Sequence, residues 1–287
     1  MPRAIFTSTE LDLAFQRKGY IIIRELLNKE EIQQLLLTYE NFKQEASGHF
    51  HTTHFSTNKH YKKVAHEIIS KTVFSKASTH LNEYRPLFGN FMIKNPDPNV
   101  SLDIHSDWSY VDEDRFQSLA IWIPLVDTNE NNGTFGLVEQ SHKVTNKIRG
   151  PLIIESSRNK NEYWAKKYGT LLNMKAGDAV LYHHGLLHFS PPNKTNHTRP
   201  AINLTVVPKE ADCIHYCIPE GASEIEMYAV NGTNFYLNYT HFQRPETNSK
   251  INTLPTSIIQ QIDDQLKCFK IKRWIRNIHL AVGKIYV

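Results

Sequence analysis

Between Pro86 and Pro208 the chain is a succession of short apolar runs broken by Pro, Asn and Gly. Ser118-Leu-Ala-Ile-Trp-Ile-Pro, Asp178-Ala-Val-Leu-Tyr and Arg199-Pro-Ala-Ile-Asn-Leu-Thr-Val-Val-Pro are the clearest of them. Short strands rich in β-branched residues with frequent turn signals predict a mainly β protein with flanking helices. Its core is a double-stranded β-helix, the cupin-like jelly roll, over about 86–208. Helical elements are expected over 9–82. Within them, residues 9–46 read as a strand, then a helix that begins after Asn28, a good N-cap, and runs to about Phe42. Residues 61–82 read as a helix with Val64, Ile68, Val73 and Phe74 on its inner face. Between these lie residues 47–60, with His49, His51, His54 and His60 and few apolar anchors. That composition suits a mobile loop at a pocket mouth that closes over substrate, or a four-histidine metal site.

Further along, residues 144–169 are a charged insertion containing Tyr163-Trp-Ala-Lys-Lys-Tyr, a helical piece that would roof a site. Residues 209–249 are aromatic and polar, the pattern of an extra edge strand or a cover on the substrate side. After Pro255, Ile271, Trp274, Ile275, Ile278, Val282 and Ile285 recur at helical spacing with Lys and Arg between them. They predict a basic amphipathic helix over about 256–285, packed on the barrel or lying on an anionic membrane surface. No repeat or second domain is evident, so residues 1–287 read as one domain.

Charge sharpens this picture. The net charge is +4, and residues 251–287 alone hold six Lys/Arg against two acids. The remainder is balanced, so no nucleic-acid partner is expected. Cys213, Cys217 and Cys268 are an odd number and make no disulfide framework. With no signal-like or membrane-spanning run, a cytoplasmic location is expected, at the membrane surface if the C-terminal helix binds lipid.

The chemistry concentrates in two stretches. Asp103-Ile-His-Ser-Asp-Trp places Asp107 two residues after His105, and a strand over Val100–His105 would turn both toward one face. His188 is followed eleven residues later by Arg199. Two imidazoles and a carboxylate bind one face of a ferrous ion and leave the other open. An arginine nearby pairs bidentately with the carboxylate of an oxo-acid. His-x-Asp alone is scarcely more than chance supplies, and a surface histidine beside an acid is the blander reading. His183 and His184 lie between strand and turn, and read as wall or packing residues.

From about Leu11 to Pro208 the chain resembles the phytanoyl-CoA dioxygenase family of iron(II)/2-oxoglutarate oxygenases. The resemblance rests on Phe15-Gln-Arg-Lys-Gly-Tyr-Ile-Ile-Ile, on Ser118 to Asp127, on Asn131-Asn-Gly-Thr-Phe-Gly-Leu-Val-Glu-Gln-Ser-His, and on Ala176-Gly-Asp-Ala-Val-Leu-Tyr. Gln140 stands where the family usually has Gly before Ser-His. The resemblance implies His105, Asp107 and His188 as iron ligands, with Arg199 holding the far carboxylate of 2-oxoglutarate. It also implies Ser190 as a supporting hydroxyl, and Lys94 and Trp122 beside the co-substrate. Trp108 and Tyr110 would line the substrate pocket. The expected reaction consumes O2 and 2-oxoglutarate, releases succinate and CO2, and hydroxylates an unactivated C–H bond of a small-molecule or carrier-bound substrate. Desaturation, cyclisation or epimerisation use the same cofactors, whereas Asp107 argues against halogenation. A membrane-surface hydroxylase of a lipid or glycan precursor is a further reading, suggested by the basic tail. A non-enzymatic, cupin-like metal binder has no need of Arg199.

Overall fold

The computed structural model describes residues 3–151, 153, 163, 165–219, 221–239, 244–246 and 249–260. Helix α1 (Thr9–Lys18) opens the fold. The strand expected from residue 9 starts only at Tyr20. Ser8 accepts a hydrogen bond from Leu11 N–H and so caps the helix start, while Gly19 ends it at φ 88°, where a Cβ would be strained. β1 (Tyr20–Ile23) follows, then α2 (Lys29–Glu40), whose start carries the Asn28–Glu31 capping box. α3 (Lys59–Ile69) continues into a π turn at Ser70–Phe74. Its buried stripe is Tyr61, Ala65, Ile69 and Val73, one residue out of phase with the expected Val64 and Ile68.

Ten strands make the barrel and its edges. They are β1, β2 (Phe50–Thr52), β3 (Tyr84–Lys94), β4 (Leu102–His105), β5 (Leu119–Pro124), β6 (Gly136–Val138), β7 (Gly169–Leu171), β8 (Ala179–His183), β9 (His188–Ser190) and β10 (Arg199–Pro208). One sheet has the order β1-β8-β5-β10-β3-β2 and the other β4-β9-β6-β7, with antiparallel pairing throughout. The chain crosses between the two sheets from β3 to β10, which is the double-stranded β-helix expected from the pattern of runs.

The larger sheet is buried on both faces, so β5 and β10 are apolar almost without alternation. Outward, Leu119, Ile121, Ile123, Ile202 and Leu204 pack on Phe15, Leu35, Tyr61 and Ile69 of the helices. Each fully buried aliphatic side chain there contributes about 1.5–3 kcal/mol. Inward, Ala120, Trp122, Val180, Tyr182 and Ala201 meet Phe135 and Leu137. The interior face of β3 and β10 turns polar at Asn90, Asn203, Lys94 and Arg199, and this is where the site lies.

The loop expected at residues 47–60 is an ordered element. The histidine-rich stretch supplies β2, which pairs with β3 at Phe50↔Lys94 and covers an edge otherwise open. Thr53 Oγ1 accepts from Phe91 N–H at 3.0 Å and fixes the turn after it. Its histidines are dispersed. His51 stacks on Tyr61 and His54 on Phe88, while His49 contacts Asp97 and His60 sits against Phe42. Residues 209–249 contribute β11 (Ile214–Cys217) and β12 (Glu224–Ala229), which with β13 (Lys250–Pro255) form a three-stranded sheet. Cys213 and Cys217 are buried free thiols. Residues 152, 154–162 and 164 of the charged insertion, and the stretch beyond Gln260 where a basic amphipathic helix was expected, lie outside the described residues. No helix among the described residues is long and apolar enough to cross a membrane.

Candidate metal centre and co-substrate site

β4 and β9 pair with His105 opposite His188, and their rings lie 4.3 Å apart between centroids. The donor atoms of His105, Asp107 and His188 all fall within 4.8 Å of one another, and no other such group occurs among the described residues. The convergence does not come from strand alternation, because β4 ends at His105 and Asp107 sits in the loop beyond. Three hydrogen bonds hold Asp107 itself. Asp107 N–H donates to His184 O at 2.8 Å, Arg149 Nε donates to Asp107 O at 2.6 Å, and Tyr182 OH donates to Asp107 Oδ2 at 2.9 Å. Arg149 is itself locked by a buried two-pronged pair with Glu113.

Each imidazole is oriented by its own chain. His105 Nδ1 lies 2.7 Å from Asp103 O and His188 Nδ1 2.9 Å from Leu186 O. A carbonyl only accepts, so both Nδ1 atoms carry the proton and both Nε2 atoms present a lone pair. His188 Nε2 is 3.8 Å from Asp107 Oδ1. Phe135 stacks at 6° on the His188 ring and fixes its plane. Burial drives the His188 pKa down to about 4. Burial alone would raise the Asp107 carboxyl, but His188, His184, His105 and the Tyr182 hydroxyl together hold it below the ordinary carboxylate range. His184 is a packing residue, its Nδ1 within 2.8 Å of Ser118 Oγ.

Beside this group lie two buried basic side chains. Arg199 and Lys94 are cross-strand partners, 3% and 2% exposed. Arg199 donates to Met92 O at 3.3 Å and lies 5.7 Å from the Trp122 ring. Its Nε has no partner, and no described carboxylate pairs with it. Burial lowers its pKa to about 10, so it stays charged at neutral pH. Lys94 donates to Ser190 O and Ser190 Oγ, both at 3.1 Å, and to Pro191 O. Ser190 Oγ donates in turn to Gly133 O at 2.8 Å. The Ser190 proton is thus committed to the backbone, and its place is to hold Lys94 rather than to offer a free donor. Gly133, at φ 79°, leaves the space its Cβ would take to the Lys94 chain, whose Cδ would be 2.6 Å away.

The sequence model of the phytanoyl-CoA dioxygenase (PhyH) family matches residues 15–201, nearly two thirds of the chain. The chain belongs to the phytanoyl-CoA dioxygenase family. A phytanoyl-CoA dioxygenase from Arabidopsis thaliana is 30% identical over 139 residues, 47% of this chain and 49% of that protein. The match therefore spans about half the length of the curated relative. Among solved structures, HygX from Streptomyces hygroscopicus with nickel and 2-oxoglutarate bound is 16% identical with a TM-score of 0.52, over 71% of this chain and 88% of HygX. EvdO2 from Micromonospora carbonacea var. aurantiaca complexed with 2-oxoglutarate is also 16% identical, with a TM-score of 0.53, over 72% and 94% of the two chains. At that identity the likeness is one of fold.

A cavity of about 530 Å³ opens on His105 and Asp107. Trp108 and Tyr110 line it, together with Phe55, Phe88, Asn90 and Asn203. Tyr182, Arg149 and Asn203 were not legible as site residues. Asn203 alone left a signal, being a polar side chain at an inward position of an apolar strand.

Proposed function

We propose that this chain is an iron(II)- and 2-oxoglutarate-dependent dioxygenase that hydroxylates an unactivated C–H bond of a small molecule. The observation that carries the reading is the pairing of an open-faced His105–Asp107–His188 group with a buried guanidinium that lacks a counter-ion. A metal store explains the first and not the second. An unpaired buried cation is costly and persists where an anion completes it. A dicarboxylate of oxo-acid type fits, one carboxylate toward Arg199 and the oxo-acid end toward the metal. The 2-oxoglutarate held by HygX and EvdO2 supports that choice.

Iron with 2-oxoglutarate would supply the oxidising chemistry, with succinate and CO2 as by-products. The chain's own part is geometric and electrostatic. His105, Asp107 and His188 hold the metal, with proton positions set by Asp103 and Leu186. Tyr182 engages Asp107 Oδ2 and leaves Oδ1 for the ion. Arg199 fixes the diacid, Lys94 adds positive potential, and Trp122 walls the guanidinium from water. The test is anaerobic titration with ferrous iron and 2-oxoglutarate, then succinate release in air. Failure of the diacid to bind the metal-loaded protein refutes the reading.

Tyr182→Phe is expected to lower ferrous-iron affinity about 10- to 100-fold, the usual effect of losing an outer hydrogen bond to a ligand, while far-ultraviolet circular dichroism stays unchanged. Lys94 gives a pH signature. Burial, then Arg199, lower its pKa to about 7. Below that pH the site holds two cations, and above it only one until the bound diacid restores the proton. The affinity for 2-oxoglutarate is therefore expected to fall as pH rises from 7 to 9, and binding in that window to take up a proton. Calorimetry in buffers of different ionisation enthalpy reads both effects, and Lys94→Met should flatten them.

A further inference from the structure

Resting on that reading, we propose that Arg149, held by Glu113, is a positioning residue that sets both the Asp107 ligand and the Trp108 wall of the cavity, and that the pair is kept for geometry rather than for stability. Neither residue is among the metal donors or the cavity lining. β4 ends at His105, so no strand ladder fixes the backbone from Ser106 onward. A ligand there needs outside support, because a metal site tolerates displacements of only about 0.5 Å. Asp107 receives that support on both flanking peptides. Its N–H donates to His184 O, and its carbonyl accepts from Arg149 Nε at 2.6 Å. The same short segment grips the residues that follow. Ser109 N–H donates to Arg149 O at 3.1 Å, Arg149 N–H donates to Ser109 Oγ at 3.2 Å, and Ser109 Oγ donates to Lys147 O at 2.6 Å. Glu113 closes the span, its two oxygens accepting from Arg149 Nη1 and Nη2 at 3.0 and 2.6 Å. Between these anchors stand Trp108 and Tyr110, which line the cavity. One guanidinium therefore ties both ends of the stretch from Asp107 to Glu113.

Energetics point the same way. The Arg149 and Glu113 side chains are 5% and 2% exposed. Burying two such charges costs desolvation that largely offsets their attraction, and an apolar pair of similar volume is often as stable or more so. An apolar pair cannot donate to the Asp107 carbonyl. Arginine suits the place because its planar fork donates in two fixed directions, Nε to Asp107 and the two Nη groups to Glu113. A lysine ammonium is a point charge on a flexible stem and holds no such fixed angle.

The test uses the full chain, metal-free and then loaded anaerobically with Fe(II) or Co(II). Two variants are compared with the parent: Arg149→Lys, and Glu113→Leu combined with Arg149→Met. The double variant removes both charges, so without metal it should melt within a few degrees of the parent. Each variant should bind Fe(II) at least about tenfold more weakly in competition with a chelator. At saturating Co(II) the d–d absorption should differ from that of the parent, since the carboxylate meets the ion from a new position. With 5-fluorotryptophan incorporated, the fluorine NMR signal of Trp108, assigned through Trp108→Phe, should move as well. A folded variant that loses less than about tenfold in affinity, or that keeps the parent d–d spectrum, overturns the role at the metal. An unmoved Trp108 signal overturns the link to the cavity. Failure of both variants to fold assigns the pair to stability and overturns the inference. A parent that takes up neither Fe(II) nor Co(II) refutes the oxygenase reading, whereas equal uptake by parent and variants refutes this inference alone.

Discussion

Arg199→Met is expected to weaken 2-oxoglutarate binding by on the order of a hundredfold or more and, in the protein without co-substrate, to raise the melting temperature by a few degrees. The first effect follows from removing one partner of a buried, hydrogen-bonded charge pair, which costs roughly 2–5 kcal/mol. The second follows from the free state. There the guanidinium is 3% exposed, donates to Met92 O, stacks near Trp122, and leaves Nε unpaired. Replacing such a buried charge with an apolar side chain of similar volume is neutral or stabilising by about 1–4 kcal/mol. Opposite signs for stability and binding are the mark of a residue kept for a ligand. Arg199→Lys should keep the charge and still bind poorly, since a single ammonium cannot replace the planar fork. Scanning fluorimetry with and without 2-oxoglutarate reads both effects. A variant that is destabilised in the free state and keeps normal co-substrate affinity assigns Arg199 to the core.

The reach of the sequence follows from the range of the interactions involved. The β-helix core was legible because burial on both faces of β5 and β10 demands apolar runs, and their breaks are Pro, Asn and Gly. The clustering of His105, Asp107 and His188 was legible because they fall in two short motifs. How Asp107 is held was not. Its partners His184, Tyr182 and Arg149 lie 77, 75 and 42 residues away, and no local spacing announces them. Ser190 was assigned by position to the co-substrate, yet Lys94 and Gly133 occupy its hydroxyl, a fact that only the approach of β3 to β9 decides. The helix at Thr9–Lys18 was misread because the Ile-Ile-Ile run after Gly19 dominates the pattern, although Ser8 and Gly19 mark its two ends. Residues 47–60 looked loose because β2 is anchored by pairing to β3 and by the Thr53 hydroxyl rather than by apolar residues of its own.

Asp107→Ala and His188→Ala are each expected to lower ferrous-iron affinity by more than about a hundredfold, beyond what loss of an outer partner costs, and to bring 2-oxoglutarate-dependent succinate release to background. Asp107→Asn separates charge from shape. The amide keeps the size of the side chain and a contact with Tyr182, but removes the negative charge beside three imidazoles. It should lose nearly as much affinity as the alanine variant. His184 supplies the control, since it too adjoins Asp107 electrostatically, while its Nδ1 is engaged by Ser118. His184→Gln should keep iron affinity within about tenfold of the parent. Competition against a fluorescent chelator under anaerobic conditions measures all four proteins on one scale. Equal losses in all four indicate that the cluster answers to packing alone, whereas loss confined to positions 107 and 188 means that those donors meet the ion.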